Sequence, residues 1–154
     1  MRIWNTTNGS LKRSIDVNDY IISMILISET EVALGLSENN IQTWNVTTGE
    51  PKSNLALENA ETGFNINALL LLPNGDLASA SFDKTIKIWS LKTGCLRATL
   101  KGHEATVCAL AVLDNLQLVS GSGDNSVRVW NYWMSVNVES GRRGSNETRE
   151  SFSF

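Results

Sequence analysis

The sequence predicts an all-β fold built from a repeated unit, and three observations predict it. Tryptophans recur at positions 4, 44, 89 and 130, which are 40, 45 and 41 residues apart. Each of them ends a short run of alternating apolar and polar residues, such as VRVW, that is rich in β-branched side chains. Turn-forming residues separate these runs at the spacing of strands, and no stretch of about 12 residues keeps a helical period between them.

The repeat extends well upstream of each tryptophan. Residues 66–89 overlay 107–130 at a constant offset of 41, and nine of the 24 positions are identical. Residues 21–44 overlay 66–89 at an offset of 45, with the apolar pattern kept and the polar residues changed. Residues 1–9 match the end of an earlier unit. Three to four short strands in a unit of this length are typical of a β-propeller blade.

Composition narrows the function classes. The chain has 154 residues, of which 42% are hydrophobic and 19% charged, and its net charge is −3. It can therefore bury a core, and its slight acidity argues against a nucleic-acid binder with a broad basic face. No apolar run is long enough for a secretion signal or a membrane span. We therefore expect an intracellular, cytoplasmic or nuclear protein with no membrane partner.

Candidate catalytic groups are few. His103 is the single histidine, and it follows a glycine at a repeat junction, where a structural hydrogen-bonding role is expected. Cys108 lies five residues on, but in the apolar run VCALAV, which favours a small residue of the core. The glycine-rich run SGSGDNS lacks the lysine and the spacing of a phosphate-binding loop. The sequence predicts no enzyme, no metal site and no cofactor.

These units resemble the WD repeats typified by the β subunit of heterotrimeric G proteins, over roughly residues 1–133. The third unit carries Gly102-His103, then LVSGSGD, then VRVWN, with Asn131 where the family usually has aspartate. The second unit matches in LASASFDKTIKIWS. The first unit keeps Trp44 but has leucine and glutamate where the others have serine and aspartate.

The resemblance implies a hydrogen-bonded network inside each unit. In the third unit Trp130 is expected to donate to Ser122, which links through His103 to Asp124. The second unit repeats that spacing, but Thr62 stands where the histidine would be. We therefore expect the complete network in the third unit alone. The other network residues implied by the resemblance are Ser81, Asp83 and Trp89 in the second unit and Trp44 in the first.

The resemblance also implies an incomplete propeller of about three and a half four-stranded blades, an open ring over residues 1–138. The expected pieces are a half-blade from strands in 1–9 and 10–17, then blades at about 20–57, 66–100 and 107–138. The polar segment 139–154 is expected to be disordered. Because open sides would expose apolar faces, we expect a fragment or truncated form of a larger propeller, completed by missing blades of a longer chain or by self-association.

Partner contacts are expected on the end of the blades where the turns of the resembled family bind. The nine candidates are Tyr20, Ile22, Ser37, Asn65, Asn67, Phe82, Thr106, Cys108 and Gly123. Tyr20 and Phe82 stand out, since aromatic anchors dominate binding hot spots. We predict a non-catalytic scaffold for protein partners. The alternative is a substrate-receptor or regulatory module of a larger assembly such as a ubiquitin ligase.

Charge is unevenly distributed along the chain. Ten acidic residues and one base lie between Ser14 and Asp83, whereas the stretch from Lys84 to Lys101 has five bases and no acid. This basic stretch either guides an acidic partner or is a solvated outer edge that discourages strand addition, and the second interpretation is favoured.

Overall fold

The computed structural model describes residues 1–56, 63–113 and 116–131, and the backbone of residues 151–153. This part of the chain is all β and contains no helix, which confirms the predicted fold class. Its strands are β1 (Arg2–Trp4), β2 (Leu11–Ser14), β3 (Ile21–Ser28), β4 (Glu31–Leu36), β5 (Ile41–Asn45), β6 (Glu50–Leu55), β7 (Ile66–Leu71), β8 (Leu77–Ser81), β9 (Ile86–Trp89), β10 (Leu96–Leu100), β11 (Val107–Val112), β12 (Leu118–Ser122), β13 (Ser126–Trp130) and β14 (Ser151–Ser153).

The strands form one two-stranded and three four-stranded antiparallel sheets. In each sheet the strands are hydrogen-bonded in chain order: β1-β2, β3-β4-β5-β6, β7-β8-β9-β10 and β11-β12-β13-β14. We call the first the leading half-sheet and the others blades 1, 2 and 3. The first strands of the three blades lie beside one another, β3 against β7 and β7 against β11. The array is therefore an open propeller of three and a half blades.

Apolar residues fill the spaces between successive sheets. Three tryptophans pack towards the preceding sheet: Trp44 towards the leading half-sheet, Trp89 towards blade 1 and Trp130 towards blade 2. The core between blades 1 and 2 includes Ala33, Ile41, Leu55, Ile66, Leu77 and Trp89. The core between blades 2 and 3 includes Ala78, Ala80, Ile86, Ile88, Val107 and Leu118. Burial on both faces explains why the blade strands are so rich in apolar residues.

Glycines lie in the hairpins that join the two strands of the leading half-sheet and the last two strands of blades 1 and 2. Gly9, Gly49 and Gly94 lie five residues after a tryptophan, with φ of 69°, 84° and 74°. The N–H of each donates to the carbonyl oxygen four residues earlier at 2.8 Å. Glycine adopts this left-handed backbone without a steric penalty, which explains its regular recurrence in the sequence.

Blades 1 and 2 approach each other closely at Gly35. A Cβ atom there would lie 2.2 Å from Oγ of Ser23 and 2.7 Å from Cγ2 of Ile66. The Ser23 hydroxyl in turn donates to the Ile66 carbonyl oxygen at 2.8 Å, which ties the first strands of the two blades together. Only a residue without a side chain fits this junction.

Blade 3 is completed by a strand from near the end of the sequence. β14 pairs with β13 in the register Ser126↔Ser153, Val127↔Phe152 and Arg128↔Ser151. These residues belong to the segment 139–154 that was expected to be disordered, and most of that segment lies outside the described residues. Their backbone groups pair with the otherwise free edge of β13. Residues 132–150 and 154 lie outside the described residues.

Both flanks of the array carry exposed apolar side chains. Met24 and Leu26 on β3 are 58% and 61% exposed, and Val127 on β13 is 42% exposed. The described residues include no helix with the length and apolar character needed to cross a membrane.

Candidate functional site

One end of the array gathers the predicted binding positions. Because neighbouring strands are antiparallel, the starts of β3, β7 and β11 lie at the same end as the ends of β4, β8 and β12. We call this end the rim. All nine candidates lie there, at or just beside those strand termini: Tyr20, Ile22, Ser37, Asn65, Asn67, Phe82, Thr106, Cys108 and Gly123.

Hydrogen bonds join the two parts of the rim within each blade. In blade 2 the N–H of Phe82 donates to the Asn65 carbonyl oxygen at 3.0 Å, and in blade 3 the N–H of Gly123 donates to the Thr106 carbonyl oxygen at 2.9 Å. In blade 1 the Ser37 hydroxyl donates to the Asp19 carboxylate, next to Tyr20, at 2.6 Å. The turn after each second strand is thus fixed to the start of the first strand.

Further bonds join the rims of adjacent blades. The Ser81 hydroxyl donates to Oδ1 of Asn39 at 2.7 Å, which links blade 2 to blade 1. The Asn67 amide donates to the Val107 carbonyl oxygen at 3.1 Å, which links blade 2 to blade 3. The rim is therefore one connected surface with fixed backbone positions.

Aromatic side chains project from this surface. Tyr20 is 81% exposed and Phe82 is 52% exposed. The Phe82 ring stacks on Phe64, with the ring centroids 6.0 Å apart and the planes inclined at 21°. Phe64 was not among the sequence candidates, although an aromatic residue two positions before a predicted strand was the available signal. A stacked, half-exposed pair is a preformed apolar contact.

Cys108 does not form the cysteine–histidine pair that its spacing allows. Its thiol is exposed, rather than buried in the core as its apolar strand predicted, and it lies 3.5 Å from the Thr106 carbonyl oxygen. Both ring nitrogens of His103 have other partners. Cys108 therefore lies among the predicted rim positions, and its thiol contacts a backbone carbonyl oxygen.

The network of blade 3 is continuous from the tryptophan to the aspartate. The Trp130 indole N–H donates to the Ser120 hydroxyl oxygen at 2.8 Å, and that hydroxyl lies 2.7 Å from Nε2 of His103. Nδ1 of His103 lies 2.8 Å from the Asp124 carboxylate. Since a carboxylate only accepts, Nδ1–H donates to Asp124 and Nε2 accepts from Ser120.

The serine of this network is Ser120, and the prediction of Ser122 was wrong. Trp130 pairs across the sheet with Leu118, so Ser120 is two residues along β12 and Ser122 is four. At about 3.4 Å per residue Ser122 is roughly 14 Å from the pairing position, beyond the reach of the indole. Ser122 instead donates to the Ala105 carbonyl oxygen at 3.1 Å and accepts the N–H of Asp124 at 3.2 Å.

Asp124 collects several donors. The Ser126 hydroxyl, the Glu104 N–H and the Ser126 N–H lie 2.6, 2.9 and 2.9 Å from its carboxylate oxygens. Burial acts to raise the pKa of Asp124, but the hydrogen bonds from Ser126, Glu104 and His103 outweigh it and hold that pKa well below its ordinary value.

In blades 1 and 2 the tryptophan indole N–H donates to other acceptors. In blade 2 the Trp89 indole donates to Ser79 at 2.9 Å, so Ser79 takes the role expected of Ser81. Thr62, which stands at the histidine position, lies outside the described residues. In blade 1 the Trp44 indole donates to Oε1 of Gln42 at 3.0 Å, two residues earlier on the same strand. Among the described residues, the series of hydrogen bonds from indole through serine and histidine to aspartate therefore occurs in blade 3.

The turn aspartate of blade 2 pairs with a lysine instead of a histidine. Asp83 accepts from the ammonium group of Lys87 and from the Thr85 hydroxyl. Burial raises the pKa of Asp83, but the bonds from Lys87 and Thr85 more than offset this, so its pKa lies below the ordinary value. Arg97 pairs with Asp76 at 3.2 Å. Two of the five bases of the basic stretch are therefore neutralised by local carboxylates.

Two segments of the chain match a known repeat family. A family profile described as "WD domain, G-beta repeat" matches residues 53–90 and 94–131. The chain is 38% identical over 76 residues to WD repeat and SOCS box-containing protein 1 of Xenopus tropicalis, which is 47% of this chain and 17% of that protein. It is 55% identical over 40 residues to U3 small nucleolar RNA-associated protein 13 of Saccharomyces cerevisiae, 25% of this chain and 5% of that protein.

A solved structure shares the fold. The structure of U3-55K superposes with a TM-score of 0.68 at 24% identity, covering 80% of this chain and 39% of that one. The chain thus spans well under half of the relatives and of the solved structure that it matches.

Proposed function

Because the chain belongs to the WD-repeat family, we propose that it is a non-catalytic scaffold whose rim binds protein partners. WD-repeat proteins bind protein partners, and the rigid strands here hold variable turns at fixed positions. The observation that carries the proposal is the pair of exposed aromatic side chains on the rim, Tyr20 and Phe82. Large aromatic anchors on a fixed backbone contribute more binding energy than other exposed residues.

The absence of catalysis is part of the proposal. It is supported by the use of both His103 nitrogens within the network and by the contact of the Cys108 thiol with the Thr106 carbonyl oxygen. General base catalysis needs a nitrogen free to accept a proton from a reacting group. Here Nε2 of His103 is occupied by the buried Ser120 hydroxyl.

The experiment compares rim variants with a matched control. The full chain, as wild type and as Tyr20→Ala, Phe82→Ala and Leu11→Ala, is immobilised and the captured proteins are quantified by mass spectrometry. Leu11 is the control because it is an exposed apolar residue at the start of β2, at the opposite end of the sheet. We expect the two rim variants to lose a common set of proteins that Leu11→Ala retains. Identical profiles for all four proteins contradict the proposal.

We also propose that the chain is a fragment or truncated form of a larger propeller. Its support is the incomplete leading half-sheet and the small share of each relative that the chain matches. The alternative to the general scaffold function is a substrate-receptor or regulatory module of a larger assembly such as a ubiquitin ligase, which the partial similarity to a SOCS box-containing protein favours. Co-purification of ligase subunits with the full chain would favour this alternative over the general scaffold.

An intracellular location, cytoplasmic or nuclear, fits this scaffold role. Relatives named for nucleolar RNA and for pre-mRNA splicing support the nuclear choice. We propose protein partners rather than nucleic acid or membrane, because the net charge of −3 gives little attraction for phosphate groups.

A further inference from the structure

The three blades carry equivalent turns on the rim, and two residues of these turns depart from the repeat. The turns follow β4, β8 and β12 and span 37–40, 82–85 and 123–126. Their second residues are Glu38, Asp83 and Asp124, and their third residues are Asn39, Lys84 and Asn125. The third residues have φ of 57°, 69° and 64°. Asparagine adopts this left-handed region more readily than most residues, so the lysine of blade 2 is the exception.

The second residue of the turn is held inside the molecule in blades 2 and 3 but not in blade 1. Asp83 pairs with Lys87, and Asp124 collects the donors described above. Glu38 is exposed with φ of 58°, and its carboxylate has no hydrogen bond or ion pair among the described residues. The turn of blade 1 therefore presents an unpaired negative charge on the rim.

Lys84 presents an unpaired positive charge on the turn of blade 2. Its side chain is exposed, and its ammonium group pairs with no carboxylate in the described part of the chain. The neighbouring Asp83 does not neutralise it, because that carboxylate accepts from Lys87 and Thr85. A residue in a strained backbone conformation whose charge has no partner within the fold is typical of a binding site.

The two turns meet at the aromatic pair of the rim. The N–H of Asn39, next to Glu38, donates to the Phe64 carbonyl oxygen at 2.5 Å. Phe82 begins the turn that carries Lys84, and its ring stacks on Phe64. At about 3.8 Å between consecutive Cα atoms, the backbones of both charged residues lie within roughly 10 Å of that of the pair. A half-exposed apolar surface thus has an unpaired carboxylate in one adjoining turn and an unpaired ammonium group in the other.

Buried hydrogen bonds fix the arrangement of these groups. The Ser81 hydroxyl donates to Oδ1 of Asn39 at 2.7 Å, and both residues are buried. The Phe82 N–H donates to the Asn65 carbonyl oxygen at 3.0 Å. A partner that binds here meets a backbone already in place, which lowers the entropic cost of binding.

We propose that the patch formed by Glu38, Phe64, Phe82 and Lys84 binds an extended segment of a partner protein that carries an aromatic residue between a basic and an acidic one. The aromatic side chain packs on the Phe82–Phe64 pair and supplies most of the affinity. The basic side chain pairs with Glu38 and the acidic one with Lys84. A segment with charges of one sign is disfavoured, because one of its charges faces a like charge. This inference deepens the proposed scaffold function and rests on it.

The probe is a synthetic nonapeptide of glycine and serine with blocked ends and a central phenylalanine. Arginine stands two positions before the phenylalanine and glutamate two positions after it. Companion peptides replace the phenylalanine by glycine, the arginine by glutamine, the glutamate by glutamine, or both charged residues by glutamine. Binding to the full chain is measured by NMR titration, which detects weak affinity and identifies the amides that shift.

We expect saturable shifts in the turns of blades 1 and 2, and none with the peptide that lacks phenylalanine. Phe82→Ala should weaken binding about tenfold or more. Glu38→Gln and Lys84→Gln should each weaken it about two- to fivefold, the range of an exposed ion pair. Glu29→Gln and Lys92→Gln are the matched controls, because these exposed charges lie at the opposite end of the blades, and they should leave the affinity unchanged.

Combining protein and peptide variants tests each ion pair. Glu38→Gln should not weaken binding of the peptide that lacks arginine, and Lys84→Gln should not weaken binding of the peptide that lacks glutamate. A purely structural effect of either substitution lowers the affinity for all the peptides alike, so it does not produce this coupling.

The proposal is overturned if the wild type shows no saturable binding of the probe, or binds the peptide without charged residues equally well. Equal losses for every peptide in Glu38→Gln and Lys84→Gln also overturn it. If Tyr20→Ala and Phe82→Ala lose captured proteins but the couplings are absent, this proposal fails and the scaffold function stands. Capture profiles that are identical for all rim variants refute the scaffold function itself.

Discussion

Replacing Ser120 by alanine tests the network of blade 3 at its central atom. The Ser120 hydroxyl is buried, accepts the Trp130 indole N–H at 2.8 Å and lies 2.7 Å from Nε2 of His103. Ser120→Ala deletes the hydroxyl oxygen and so removes both hydrogen bonds, while Trp130 and His103 stay in place. Ser122→Ala is the matched control, because it removes a hydroxyl from the same strand and the same face.

The magnitude follows from the groups left unpaired. A buried donor or acceptor without a partner costs about 1–3 kcal/mol. Ser120→Ala orphans two such groups, so we expect a loss of about 3 kcal/mol in the free energy of unfolding. Ser122→Ala removes bonds of 3.1 and 3.2 Å at a half-buried position, and about 1 kcal/mol is expected.

Urea denaturation followed by tryptophan fluorescence measures the difference. With a slope of about 2 kcal/mol per molar urea, the midpoint for Ser120→Ala should fall by about 1.5 M and that for Ser122→Ala by about 0.5 M. A midpoint for Ser122→Ala equal to or below that of Ser120→Ala refutes the assignment of the network to Ser120.

Three further outcomes are expected. Ile86→Ala should cost about 2–5 kcal/mol in urea denaturation because Ile86 is fully buried between blades 2 and 3, whereas Val127→Ala, at the equivalent position on the open face of blade 3, should cost under about 1 kcal/mol. Trp130→Ala should cost about 3–5 kcal/mol, and a melting shift no larger than that of an exposed-site variant contradicts it. The hydrogen bonds that lower the pKa of Asp124 stabilise the folded state above about pH 4, and this stabilisation is lost as pH falls through the folded pKa. The difference in the free energy of unfolding between wild type and Asp124→Asn, measured by urea titration at several pH values, should therefore shrink below about pH 4. A difference that does not change with pH contradicts this.

The architecture was predictable because the repeat is written in the sequence. Tryptophan spacing gave the number of units, and the alternating runs gave strands that the structure places in four-stranded sheets. β14 was not predictable, since Ser151–Ser153 lacks the turn glycine that precedes β6 and β10, and its pairing depends on the free edge of β13. Such a tertiary contact has no local signal.

The sequence indicated where the rim positions lie in the fold but not every hydrogen-bond partner. These positions were implied by the family resemblance, and the turn residues in the sequence mark the strand ends beside which they lie. The identity of the network serine depends on cross-strand register, which the motif LVSGSGD leaves open because Ser120 and Ser122 point to the same face. The recurrence of serine ten residues before Trp89 and Trp130 was the available signal. The stacking of Phe82 on Phe64 depends on two separate turns meeting in space.

The absence of a side chain at Gly35 lets blades 1 and 2 approach each other closely. Ser23 and Ile66 already fill the volume that a methyl group would need, and their mutual bond prevents either from retreating. A side chain at position 35 would therefore have to displace Ser23 or move Ile66 of blade 2 away from blade 1. The spacing between these two blades thus depends on the absence of a Cβ atom at this residue.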